Sequence, residues 1–136
     1  MTIIPDEFLD LMRQPAFAQL ATVRPDGTPQ VNPMYFDWDG SRLRFSHKSN
    51  RQKFRNIEQN PYIAASIPDL DNPYRYIEVR GTVEDVSPDV DGVFLRELNA
   101  RYSPGARNSP DIEHRVVITV VVTHAAGWAG RRPSAE

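Results

Sequence analysis

Six of the chain's 16 Lys and Arg residues, Arg42, Arg44, Lys48, Arg51, Lys53 and Arg55, fall within residues 41–57, which contain no Asp or Glu. The whole chain has a net charge of −2, so this run is a local concentration of positive charge and not a general bias. It straddles the end of an alternating, strand-like stretch and the start of a helical one. At such a junction the first turn of a helix exposes unpaired backbone N–H groups and the positive end of its dipole, which stabilise phosphate. Arg51 adds a planar fork for bidentate binding and Lys53 a compact charge. The same pattern also fits a solvated basic face, and sequence pattern leaves both readings open.

A second feature is Gln30-Val31-Asn32-Pro33-Met34-Tyr35. Proline cannot donate to a ladder, so a strand containing Pro33 is predicted at a sheet edge or a bulge. Backbone groups freed there can bond the polar rim of a planar ring while Met34 packs on its face. Alternatively Met34, Phe36 and Trp38 are core residues. The three histidines, His47, His114 and His124, lack paired ligand spacing, so no metal site is assigned. His47 lies beside the basic run, where a surface or loop role is expected rather than catalysis. The chain has no Gly-x-Ser-x-Gly elbow, Walker loop or Gly-x-Gly-x-x-Gly fingerprint. Asp37 and Asp39, and Asp69 and Asp71, are explained by turn formation.

With 136 residues, 40% apolar and 25% charged, the chain is of a size and composition for one globular domain. Its overall charge does not favour a nucleic-acid or membrane-surface binder. The absence of cysteine removes disulfides, thiolate nucleophiles and iron–sulfur sites. The first residues lack a signal-peptide pattern, and the longest apolar run, residues 116–122, is far below the roughly 20 residues that span a bilayer. A soluble, cytoplasmic protein is expected.

These residues must be positioned by short elements. Pro5, Asp6 and Glu7 open a short helix through Met12. Residues 17–23 and 30–38 read as strands joined by Arg24-Pro25-Asp26-Gly27, and residues 42–46 alternate as a third. Ser49 and Gln52 have capping-box spacing before a second helix that ends at Asn60-Pro61. Strands at 62–67 and 76–86 follow. Ser87 as N-cap and Pro88 at the first helical position predict a third helix carrying Val90, Phe94, Leu95, Leu98 and Tyr102. A loop covers residues 103–111, and 115–123 form a buried last strand. The region from Ala125 has no periodicity. The expectation is therefore a mainly β domain over residues 1–136, a six-stranded antiparallel split β-barrel with three accessory helices and a flexible tail from about residue 129.

The chain resembles the pyridoxamine 5′-phosphate oxidase-like split β-barrel superfamily, and within it the deazaflavin-dependent oxidoreductases of actinobacterial type. The resemblance is carried by Leu20-Ala21-Thr22-Val23, Asp26-Gly27-Thr28-Pro29-Gln30-Val31, Arg51-Gln52-Lys53-Phe54-Arg55-Asn56-Ile57, Ile77-Glu78-Val79-Arg80-Gly81-Thr82 and Arg115-Val116-Val117-Ile118, and it extends over residues 5–128. It implies that Arg51 and Lys53 contact cofactor phosphate, with Asn56, Ser49 and Lys48 as neighbours. It also implies a homodimer, with the cofactor ring in a groove between subunits, its edge against Asn32, Pro33 and Met34, and Trp128 coming from the partner chain.

For activity, the resemblance implies hydride transfer from reduced deazaflavin coenzyme F-420 to an unsaturated or conjugated small organic substrate. No catalytic residue is assigned, because the cofactor would hold the chemistry. The alternatives are FMN as cofactor, with oxidase or reductase activity, and a carrier that does not turn over. A nucleic-acid module is disfavoured by the charge balance and the lack of an RNP-like aromatic pattern.

Overall fold

The computed structural model describes residues 3–105 and 112–131. A 3₁₀ helix at Asp6–Met12 precedes strands β1 (Ala18–Val23), β2 (Pro29–Met34), β3 (Asp37–Trp38) and β4 (Leu43–Lys48). Helix α1 (Gln52–Gln59), strands β5 (Tyr62–Pro68) and β6 (Arg75–Pro88), helix α2 (Val93–Tyr102) and strand β7 (Arg115–Ala129) follow. Seven strands make one antiparallel sheet in the order β2-β1-β5-β6-β7-β4-β3. Among the described residues, no helix is long and apolar enough to cross a membrane.

The mainly β antiparallel fold is as expected, but the expected six-stranded split barrel is corrected to this seven-stranded sheet, whose two ends are not joined by hydrogen bonds. The single strand predicted over residues 30–38 breaks at Tyr35-Phe36, and its halves, β2 and β3, lie at opposite ends of the sheet. Three residue steps from Met34 to Asp37 reach at most about 11 Å, so the sheet must curl until its ends nearly meet. Tyr102, in the last turn of α2, holds the crossing. Its hydroxyl donates to the Ala16 carbonyl at 2.6 Å and accepts from the Phe36 N–H at 3.0 Å. Phe36 is fully buried, and the Tyr35 and Tyr102 rings stack 3.8 Å apart.

The core lies inside the curl, where Leu20, Leu43, Phe45, Ile67, Ile77, Val79, Ile118 and Val120 pack with Ile4, Leu11 and Met12 of the opening segment. β6 and β7 form the longest ladder, bent by register shifts at Arg80/Gly81 and Val83/Asp85. At the first bend a Cβ on Gly81 would strike the Val121 carbonyl, so that close approach requires glycine. β7 runs six residues beyond Thr123, to Ala129. Residues 125–127 lack a hydrophobic pattern because the Phe8 ring covers Gly127 where a side chain would stand. Beyond the strand, Gly130 N–H still donates to the Tyr74 carbonyl at 3.0 Å. The rest of the expected tail, residues 132–136, lies outside the described residues, as do residues 106–111 of the expected loop.

Both predicted helix caps are replaced. α1 begins at Gln52 with Arg51 as N-cap, and the Gln52 amide donates to Asn56 Oδ1 at 2.9 Å instead of returning to Ser49. Ser87 and Pro88 remain in β6, and the chain turns through Asp91 and Gly92, both at positive φ, before α2 begins. The N-cap residue is Gly92, and the first turn is satisfied by Asp89, which is buried and accepts from the N–H groups of Phe94 and Leu95, each at 3.0 Å. Asp89→Ala removes an acceptor for two buried donors and is expected to lower stability by about 1–2 kcal/mol, read as a lower urea midpoint at constant slope.

Candidate functional site

α1 closes the inner side of the curl between β2 and β4. Gln30, Asn32 and Met34 alternate on one face of β2, toward the helix. Asn56 lies beneath them, fully buried, and donates to Thr22 Oγ1 at 3.0 Å and Gln30 Oε1 at 3.1 Å. Its two N–H bonds fasten α1 to β1 and β2, and its carbonyl oxygen accepts from Gln52 within the helix, so the whole amide is used. One turn earlier, Lys53 is only 6% exposed, and its ammonium contacts Met34 Sδ at 2.8 Å. Removal from water pulls the Lys53 pKa down to about 8.

The two ends of the sheet face each other across a slot, and the ladder registers show which groups line it. Arg24 N–H bonds the Thr28 carbonyl, so the alternation along β1 and β2 turns the peptide groups of Val31 and the carbonyl of Pro33 outward. Pro29 and Pro33 stand where an N–H would point away from β1, so the ladder loses nothing to them. Pro33 therefore marks an edge and not a bulge. On the opposite side, β3 covers β4 only at Leu43 and Arg44, and the Ser49–His114 bond sets an alternation that leaves the peptide of Ser46 facing the slot.

Side chains complete the groove. One section of about 340 Å³ is lined by Gln30, Asn32, His47, Arg51, Gln52 and Lys53. It continues, past the shared His47 and Lys53, into a recess of about 420 Å³ beside Met34, Tyr35 and Arg115. Among the described residues no carboxylate lines either section. The basic run divides accordingly. Arg42 pairs with Glu84 at 2.7 Å and Arg44 with Asp37 at 2.6 Å, whereas among the described residues neither Arg51 nor Lys53 forms an ion pair. Ser46 Oγ, His47 Nε2 and Arg115 Nε are buried without hydrogen-bond partners. Burial, then Lys53, Arg115 and Arg51, pull the His47 pKa down to about 4.

The structure thus brings Arg51, Lys53, Asn32 and Met34 to one groove, with Pro33 on its rim. Asn56 supports it from below. Ser49 is not among the residues lining either section; its N–H donates to the His114 carbonyl at 2.8 Å, and Lys48 lies opposite Arg115 in the β4–β7 register. Trp128 is elsewhere. It is 62% exposed and sits on the order of 40 Å of strand from Arg115 at about 3.3 Å per residue. Sequence reasoning missed Ser46, Tyr35, Phe17 and Arg115 and undervalued His47. The one available signal was the position of His47 and Ser46 at the strand end that enters the basic run.

The pyridoxamine 5′-phosphate oxidase family model matches residues 4–129. The chain belongs to the pyridoxamine 5′-phosphate oxidase family. Its fold is therefore that of an oxidoreductase family. A solved F420 reductase is 52% identical, covers 90% of this chain and 98% of its own, and superposes with a TM-score of 0.86. A conserved hypothetical protein of Mycobacterium tuberculosis, 19% identical with a TM-score of 0.76, covers 100% of this chain and 94% of its own. General stress protein 26 of Bacillus anthracis, 20% identical at a TM-score of 0.70, covers 90% and 92%. The last two share the fold alone.

A phosphate-bearing planar cofactor fits this family member's groove on its own chemistry: Arg51 and Lys53, without an ion pair among the described residues, at one end, and an open peptide edge along it. The neutral imidazole also has a consequence for stability. His47 is held below its ordinary value of 6.5, so the unfolded chain takes up a proton before the folded one does. Stability is expected to fall as pH drops from about 6.5 toward about 4, and the His47→Gln variant should show a shallower fall in urea midpoint over that window.

Proposed function

We propose that this protein is a reductase that transfers a hydride from reduced deazaflavin coenzyme F-420 to an unsaturated or conjugated small organic substrate. The observation that carries the proposal is the groove of uncompensated cations, Arg51 and Lys53, running into an open strand edge. The choice of the deazaflavin over FMN is supported by the F420 reductase that is 52% identical over nearly its whole length.

In this reading Arg51 and Lys53 hold the cofactor phosphate by charge-assisted hydrogen bonds, reinforced by the N-terminal amides of α1. The outward Val31 N–H, with the carbonyls of Val31 and Pro33, orients the polar rim of the ring. Met34 packs against its face, and its contact with Lys53 ties ring position to phosphate position. Phe17, Tyr35 and Leu95 line the recess and keep water from the reacting face. When bound, the reduced coenzyme would supply a hydride to one carbon of a C=C bond and be oxidised in return, the neighbouring carbon taking its proton from solvent. The protein needs no acid–base dyad for this, only orientation and exclusion.

The groove is open along one side, and a second wall from a homodimer completes the proposal. The exposed sheet face carries Ala21, Ala64, Ser66, Glu78 and Ala126 in two adjoining hollows, flanked by exposed Val31, Tyr76 and Trp128. Pairing two copies there buries those large side chains and lets the partner subunit's Trp128 reach the ring.

Titration of the purified protein with oxidised coenzyme F-420 and, separately, with FMN, followed by fluorescence, tests the assignment. The deazaflavin is expected to bind at least tenfold more tightly. Arg51→Ala with Lys53→Ala should weaken it by about 100-fold or more, from about 1.5–3 kcal/mol for each charged hydrogen bond. Equal affinity for the double variant would sink the phosphate site, and preference for FMN would assign the FMN branch. Because Lys53 loses its proton near pH 8, affinity should decline as pH rises through about 8 and hold steady in Lys53→Arg.

A further inference from the structure

The far end of the recess holds groups that the cofactor assignment leaves unused. Arg115 begins β7 and Ser46 lies in β4; the pairing of Lys48 with Arg115 and Ser46 with Val117 puts both on the outer face of the sheet, beside α2. Ser46 is 8% exposed, and its hydroxyl has no partner. Arg115 Nε is likewise buried and unpartnered, and among the described residues Arg115 forms no ion pair. Among the described residues nothing anionic lines the cavity at this end, where Leu98 and Asn99 of α2 form the roof. A buried guanidinium N–H and hydroxyl left unsatisfied cost free energy that a ligand recovers.

Opposite these groups stands a prepared aromatic wall. Phe17 is 49% exposed, with its ring 5.4 Å from that of Tyr35, and Tyr35 is stacked on Tyr102 at an angle of 8°. Because Tyr102 is bonded to Ala16 and to Phe36, the wall is fixed before any ligand arrives. One guanidinium and one hydroxyl, beside an imidazole held neutral, balance a singly charged anion with planar oxygens.

We propose that this end of the recess is the substrate subsite and that the substrate is a planar conjugated carboxylate, its carboxylate on Arg115 and Ser46 and its unsaturated skeleton against Phe17 and Tyr35. The inference rests on the reductase reading for the word substrate; the binding site itself does not. Two anion sites in one groove then serve two molecules, the cofactor phosphate at Arg51 and Lys53 and the substrate carboxylate at Arg115 and Ser46. The same carboxylate chemistry could come from an acidic cofactor tail, so the test separates the two sources.

Trans-cinnamate and cinnamyl alcohol serve as probes, titrated calorimetrically into the full-length, cofactor-free protein. Cinnamate is expected to bind at least tenfold more tightly than the alcohol. Arg115→Gln and Ser46→Ala should each weaken cinnamate by tenfold or more while leaving the affinity for coenzyme F-420 within twofold, and Arg51→Ala should do the reverse. Ser46→Ala, a smaller change, keeps the test intact where Arg115→Gln fails to fold, as judged by circular dichroism. Coenzyme binding weakened by Arg115→Gln, with cinnamate unaffected, would overturn the proposal and give the recess to the cofactor tail. Absence of cinnamate binding in a protein that binds the coenzyme would overturn it while leaving the reductase reading standing. Cinnamate binding without binding of any flavin would support the subsite and refute the reductase reading.

Discussion

The crossing at Tyr35-Phe36 is the constraint on which the rest of the molecule depends. Two strand segments that are neighbours in the chain occupy opposite ends of one sheet, and the few residues between them force the sheet to curl. Yet β3 contributes only two residues of pairing to β4, so the curl is held by the covalent chain and by the Tyr102 hydroxyl, not by a closed ladder. An unpaired strand edge is ordinarily a hazard. Here prolines at positions 29 and 33 remove two of the donors that another strand would need, and the free peptide groups that remain suit the rim of a flat heterocycle.

The second determinant is the way α1 is fastened. A fully buried asparagine with every amide atom bonded fixes the helix against β1 and β2, and so fixes the height at which Arg51 and Lys53 meet the slot. Burying Lys53 with a thioether as its partner costs free energy that a bound anion would return. His47 follows the same logic with the opposite outcome. Three cations around a desolvated imidazole keep it neutral, so the groove carries its positive charge on Lys and Arg alone.

Much of the secondary structure was legible in residue pattern. The alternation at residues 42–46 and 76–83, the turn at Asp26-Gly27 and the helix containing Lys53 and Asn56 all correspond to local propensity that tertiary packing did not override. Misreadings occurred where a local signal had a tertiary competitor. Ser49 and Ser87 have N-cap chemistry, but the ladder from β4 to β7 and the extension of β6 claimed their backbones. Asp89 reached two amides in the first turn of α2 only because the chain bends through two residues at positive φ. Residues 125–127 looked aperiodic because Phe8 supplies, from the opposite end of the chain, the apolar cover that their own side chains lack.

For the site, the sequence by itself determined the concentration of positive charge and the proline-marked edge. These are properties of composition and short spacing, which a linear chain displays directly. Which cations remain free could be decided only in three dimensions. Glu84 and Asp37, from two different strands, neutralise Arg42 and Arg44, while Arg51 and Lys53 are left facing the slot. The assembly of Phe17, Tyr35, Ser46 and Arg115 around one recess is likewise a product of sheet register and of the strand crossing. Such long-range juxtapositions are set by which peptide bonds to which, and no window of neighbouring residues contains that information.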